Sequence, residues 1–233
     1  MSSLPWLNDD NFSFPDPASA LKEPNGLLAA GGSLTPQHLL EAYSKGIFPW
    51  FEEDQPILWW TPDPRMVLYP AELHISKSLA KAIKHSDLRL SSDEAFARVI
   101  TACAGKRPYS EGTWITSEMI DAYCNLHDLG AAHSIEAWDG DQLVGGLYGL
   151  AIGTVFFGES MFSHQSNASK IAFASAVQQL EKLGYTLIDC QVSNPFLESF
   201  GAREIKREDF MKQLPKNEDY GRNKSHWPLQ LNS

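Results

Sequence analysis

Cysteine, cations and long apolar runs are all scarce in this chain, and each scarcity removes a class of protein. Cys103, Cys124 and Cys190 form an odd, widely spaced trio with no CxxC pair, which argues against a disulfide frame and against a thiolate zinc site. Lysine and arginine number 19 against 29 aspartates and glutamates, a formal charge of −10. Charge alone therefore disfavours a nucleic-acid partner, since an acidic surface repels a polyanion over about a Debye length. The longest apolar run, Leu143–Gly158, holds five glycines and falls short of the roughly 18 residues a membrane span needs. No basic start leads into an apolar core. A reducing cytoplasm is the expected location, with no membrane partner, and no repeats or low-complexity tracts are present.

What is there is a globular composition. The 233 residues are 43% hydrophobic and 21% charged, with seven Trp, twelve Phe and seven Tyr, enough to build a core. Residues 1–30 read as loop, and Thr35-Pro36 opens a helix with a cap and a proline at its first position. GIFPWFEEDQPILWW (46–60) packs five aromatics into fifteen residues. They are expected as a small aromatic core, or with Trp50 exposed as a wall on which a base could stack. DPR at 63–65 reads as a turn, so the expected division is a small N-terminal domain (1–62) and a larger one (63–233). Ile75–His85 reads as a helix with Lys77, Lys81 and Lys84 on one stripe. Ser91 and Glu94 stand at capping-box spacing for the next helix, Thr116 caps another, and a β-hairpin follows around Asp139-Gly140.

The most informative stretch is 154–194. Thr154–Gly158 suits a buried strand. A polar turn from Ser163 to Ser169 follows, then a helix with Ile171, Ala174, Val177 and Leu180 on one face and Gly184 at its end. Leu187-Ile188 open the next strand. Strand, helix and strand of this length favour a parallel crossover in an α/β layer. Asp189 and Gln191 point to the same face of their strand, and Glu159 closes the preceding one at the same sheet end, where open α/β sheets collect ligands. Pattern alone supports α/β with a mixed sheet.

GESMFS (158–163), NASK (167–170) and LIDCQ (187–191) resemble the signature blocks of the leucyl/phenylalanyl-tRNA–protein transferases. The likeness continues in EPNGLLAAGG (23–32), GIFPWF (46–51), ILWWTPDPR (57–65), LHIS (73–76), EGTWIT (111–116), AHSIE (132–136) and LVGGLYG (143–149), covering about residues 12–210 in order. It implies an α/β (α+β) fold whose C-terminal domain is acetyltransferase-like (GNAT), consistent with the order hairpin, strand, helix, strand, helix, strand. It also implies an enzyme that uses aminoacyl-tRNA charged with Leu or Phe and proteins with N-terminal Arg or Lys; a monomer is expected. The donor ester is already activated, so neither metal nor other cofactor is expected.

The same resemblance assigns candidate roles. Asp189 and Gln191 would orient or deprotonate the incoming amine. Glu159 would receive an ammonium or guanidinium of the substrates. Leu147, Phe156, Phe173 and Ala176 match the pocket for the Leu or Phe side chain, while Trp50 and Trp114 would flank the terminal adenosine or the amino acid. Ser163 and Asn167, in the polar turn, are counted as substrate contacts, with Ser166, Asn167 and Ser169 able to hold a phosphate. Lys77, Lys81 and Lys84 would meet tRNA phosphates. Two other readings stay open: a coenzyme-A-dependent N-acetyltransferase of the same fold, and a non-catalytic binder of basic N-termini. The former needs a glycine-rich pyrophosphate loop, and the equivalent SHQSNASK lacks the glycines.

Overall fold

The computed structural model describes residues 4–8, 13–105 and 115–215. Two sheets form. The smaller has the order β1-β2-β4-β3, from β1 (Trp6–Leu7), β2 (Leu27–Gly31), β3 (Phe48–Pro49) and β4 (Leu58–Trp60). Helix α1 (Pro36–Ser44) starts where the sequence places it, with the Thr35 hydroxyl accepting the His38 N–H.

The larger sheet has seven strands. In chain order it is built from β5 (Arg65–Leu68), β6 (Arg89–Ser92), β7 (Ala132–Asp139), β8 (Gln142–Ile152), β9 (Val155–Ser163), β10 (Leu187–Gln191) and β11 (Arg203–Ile205). Their spatial order is β11-β5-β10-β9-β8-β7-β6. Within this sheet β9 and β10 are the one parallel pair described, joined by helix α5 (Ala168–Lys182), while every other neighbour in it is antiparallel. The sheet is thus mixed, with the parallel crossover where the 154–194 pattern requires it. Among the described residues no helix is long and apolar enough to cross a membrane.

Helices cover both faces. One face carries Val67, Tyr148, Leu150, Val155, Phe157 and Leu187, packed by α3 (Phe96–Cys103) and α4 (Ser117–Asp128) and by α7 (Arg207–Met211) through Phe210. The aromatic residues of the small sheet join this same cluster, including Phe48, Phe51 and Trp59. Hydrophobic contact is therefore continuous across residue 62, although β4 and β5 belong to different sheets. The other face carries Met66, Leu68, Ile135, Leu147, Phe156 and Ile188 under α5, with α2 (Lys77–Lys84) and α6 (Pro195–Glu198) alongside.

Two local expectations are corrected. α3 begins at Phe96 without a side-chain cap, because Ser91 and Glu94 are engaged elsewhere. The Ser91 hydroxyl donates to Glu136 at 2.6 Å, and Glu94 accepts from Arg89 at 2.9 Å. Glu136 is fully buried, and a buried carboxylate claims the nearest donors before an exposed helix end does. Likewise β9 does not stop at Gly158 but runs to Ser163, so Glu159 lies within a strand and not at its tip.

Candidate active site

A bulge explains how Glu159 leaves the pleat. Opposite β8, Tyr148 pairs with Ser160 and Gly149 with Gly158, so Glu159 is the extra residue. Such an insertion breaks the alternation and re-aims a side chain. Phe157 belongs to the face covered by α4, and after the bulge Met161 packs on the α5 face and Phe162 on the α4 face. Glycine is required beneath it: a Cβ on Gly149 would stand 2.1 Å from the Phe157 carbonyl oxygen. A glycine inside a strand often marks this kind of close approach.

Gln191 leaves the pleat as well. The β5–β10 register slips between Asp189 and Gln191, and Gln191 sits in the left-handed region at φ +63. Its backbone N–H donates to Asp189 Oδ1 at 2.9 Å, and its side-chain Nε2 donates to Glu159 Oε1 at 2.9 Å. The last registered pair of β9 and β10 is Phe157 with Asp189. Beyond it Gly158, Glu159, Ser160 and Met161 are half-buried, as is Gln191. The amide and the acid therefore meet where the two parallel strands part.

Around this pair lies a buried polar chain. The Tyr123 hydroxyl donates to Glu159 Oε2 at 3.1 Å, and the Tyr43 and Tyr123 hydroxyls are hydrogen-bonded to each other. Edge-to-face contacts fix both rings, Tyr43 on Phe157 and Tyr123 on Tyr148. Burial pushes the Glu159 carboxyl up to about 7; the two tyrosine hydroxyls oppose this, the Asp189 charge adds to it, and the Arg65 charge opposes it. Burial also raises both tyrosines well above their ordinary range, so they stay protonated as donors. A carboxyl poised near neutrality, held by an amide and a phenol, can take or return a proton at physiological pH.

Asp189 differs from expectation. It is fully buried, not at the mouth of a cleft, and both oxygens are taken by Arg65: Nε donates to Oδ1 at 2.8 Å and Nη2 to Oδ2 at 2.6 Å. That bidentate pair gives it no open side for an incoming ammonium, so what it can do geometrically is orient Gln191. Leu147, Phe156, Phe173 and Ala176 come together, but on the α5 face, across the sheet from the carboxylates. All four are buried in a packed cluster. The reason is parity: Asp189 shares its face with Leu187, and Phe156 shares the opposite one with Ile188.

The remaining candidates are peripheral. Trp50 is 45% exposed, tilted against Trp60, and two residues along from Phe48, whose ring lies over the Arg65 guanidinium. Trp114 lies outside the described residues. Ser163 caps the approach to α5, accepting the Ser169 N–H at 3.3 Å. Asn167 is exposed, in the left-handed region, and lines an open depression of about 290 Å³ with Ser166, Gln165, His85, Asp87 and Asp139. His85 directly follows α2, on which Lys77, Lys81 and Lys84 are all exposed. Among the described residues, no three His, Cys, Asp or Glu side chains gather as metal ligands would.

The sequence of this chain matches the family model for leucyl/phenylalanyl-tRNA protein transferase over residues 67–215, and the model for that protein's N-terminal domain over 32–63. The leucyl/phenylalanyl-tRNA–protein transferase of Stutzerimonas stutzeri (strain A1501) is 58% identical over 211 residues, 91% of this chain and 93% of that protein. That of Hahella chejuensis (strain KCTC 2396) is 58% identical over 214 residues, 92% and 91% of the two. The chain belongs to the leucyl/phenylalanyl-tRNA–protein transferase family. Family membership makes it an aminoacyltransferase. Among solved structures it is similar to a GCN5-related N-acetyltransferase from Kribbella flavida, at 11% identity over 70% of this chain and 58% of that one, with a TM-score of 0.40. A likeness that distant carries nothing about chemistry.

Three members of the polar chain escaped the sequence reading. Tyr43 reads simply as part of the helix that Thr35-Pro36 opens, Tyr123 as an inward apolar position of its helix with Ile120 and Leu126, and Arg65 as the end of a turn. A usable signal existed for Arg65 alone: it directly precedes the apolar strand segment MVL, and a charge carried into a buried strand needs a partner.

Proposed function

We propose that this enzyme moves Leu or Phe, and Met less readily, from aminoacyl-tRNA to the α-amine of proteins that begin with Arg or Lys, marking them for N-degron degradation. The observation that carries the reading is the junction of Glu159 and Gln191 at paired strand irregularities, backed by Tyr123 and Asp189. Transfer needs a neutral amine, a held ester carbonyl and a proton for the leaving 3′ oxygen. Glu159, with its carboxyl near 7, takes the proton of the ammonium as the amine attacks. It returns that proton, directly or through Tyr123, to the departing ribose oxygen. Gln191 donates its N–H to Glu159, which leaves its carbonyl oxygen as an acceptor for the amine. Asp189 holds Gln191 in place. Positioning of this kind can supply about 7–11 kcal/mol in the best intramolecular cases, so modest proton transfer suffices.

Leu147, Phe156, Phe173 and Ala176 are assigned to the donor side chain in this reading by their match to the family's pocket, and the packed α5-face cluster has to open to admit it. An acidic site suits a doubly cationic acceptor, the α-ammonium plus the Arg or Lys side chain. The tRNA arm lies along α2. Its three exposed lysines have no carboxylate partner among the described residues, and the helix ends beside the Asn167 depression, where the polar turn receives a phosphate near the 3′ end. Trp50 and, by the family likeness, Trp114 are assigned to the terminal adenosine or the amino acid.

The test is a transfer assay with an Arg-initiated peptide and, separately, labelled Leu-tRNA, Phe-tRNA or acetyl-coenzyme A. Label should pass to the peptide α-amine from the two charged tRNAs alone. Transfer from acetyl-coenzyme A, or peptide binding without transfer, would overturn the proposal.

A further inference from the structure

We infer that Arg65 is a positioning residue for transfer: by clamping Asp189 it fixes the left-handed turn of Gln191 and so the aim of the Gln191 amide. The word transfer rests on the function proposed above; the clamp rests on geometry alone. Arg65 starts β5 yet has no exposed surface. Its guanidinium is sandwiched between the rings of Phe48 and Phe210, at 4.8 and 4.7 Å from their centroids. These rings come from the small sheet and from α7, so both ends of the chain hold the cation. Nη1 has no hydrogen-bond partner among the described residues, and the two remaining nitrogens go to Asp189.

Stability is a poor reason to keep such a pair, since replacing a buried ion pair with apolar side chains is often neutral or stabilising. What an apolar pair cannot do is accept the Gln191 N–H. Asp189 Oδ1 is shared between Arg65 Nε and that N–H, and the N–H belongs to a residue in a conformation unfavourable for any side chain but glycine's hydrogen. Strain at such a position persists only when its surroundings over-determine it. From Arg65 to Asp189 to Gln191 to Glu159 every link is a hydrogen bond of 2.6–2.9 Å. A lysine keeps the charge but loses the planar two-pronged fit.

The experiment uses the full chain with R65K, R65M and the double variant R65M/D189L. In R65K and R65M, kcat with charged tRNA should fall about 10²-fold, the size of loss a small misplacement causes. KM for the tRNA should stay within about twofold, and the Gln191 amide resonances should move. R65M/D189L should regain the wild-type melting temperature and keep the low kcat. The double variant and R65K carry the test should R65M not fold. Recovery of rate along with stability in the double variant, or an R65M rate within about twofold of wild type, would overturn the clamp. An inactive wild type defeats the proposed function instead. In that case unmoved Gln191 resonances in R65K still defeat the clamp, and shifted ones uphold it.

Discussion

The two faces of the seven-stranded sheet have been given opposite tasks by the same kind of strand. The α5 face buries an apolar cluster that includes Leu147, Phe156, Phe173 and Ala176. On the α4 face the alternation is broken twice, at Glu159 and at Gln191, and each break delivers a polar group into the chain from Arg65 to Tyr43. The contrast teaches that strands which bury a core on one side can, by a local break, gather polar groups on the other. A bulge makes such a break with one extra residue, which bends its strand locally and re-aims the side chains there.

Replacing Glu159 should break the contrast hardest. In the proposed mechanism E159Q removes the proton acceptor and keeps the shape, so kcat should drop about 10²–10⁴-fold, the usual worth of general acid–base help, with the fold retained by circular dichroism. On the opposite face, F156A should act through stability: about 3–5 kcal/mol lost in denaturant unfolding, as for large core truncations. If Phe156 also lines the donor pocket, discrimination between Phe-tRNA and Leu-tRNA narrows in the surviving protein. Equal kcat losses in E159Q and a mild core substitution such as Ile188→Val would erase the division of labour.

The α2 stripe gives the next effect. Changing Lys77, Lys81 and Lys84 together to Glu should raise KM for charged tRNA by about tenfold or more. It should also reduce the slope of log KM against log salt by about three, one per lost phosphate contact. A minimal aminoacyl-adenosine donor should be unaffected, and equal loss on both donors would make the stripe structural. Subtler still, Y123F takes a hydrogen bond from Glu159. That bond favours the carboxylate, so its loss should raise the Glu159 pKa further and shift the ascending limb of the pH–kcat profile upward, to above about 7.

The smallest expected signal is in stability against pH. Burial raises Glu159 in the folded state from its ordinary 4.5 to about 7. The folded protein therefore holds that proton more tightly than the unfolded chain does. Its contribution is full below about pH 4.5 and is lost as pH climbs through 7. Melting temperature should fall across that window in wild type and fall less in E159Q, as read by calorimetry at fixed ionic strength.

Helix starts at Thr35 and Thr116, the hairpin, the parallel crossover and the family blocks were all legible along the chain. Each depends on neighbours within a few residues or on a period of 2 or 3.6. So was the association of Glu159 with Gln191, because parallel strands joined by one helix end together. The direction of Glu159 was not, since a bulge depends on the partner strand and on Gly149 beneath it. Nor was the fate of Asp189. The sequence by itself determined which elements form and which residues can carry charge. Only the tertiary structure decided that Arg65, 124 positions away, would neutralise Asp189, and that Tyr43 and Tyr123 would turn their hydroxyls to Glu159. The physical reason is that a buried charge or hydroxyl is satisfied by whatever packing brings within about 3 Å, and no local pattern encodes that distance.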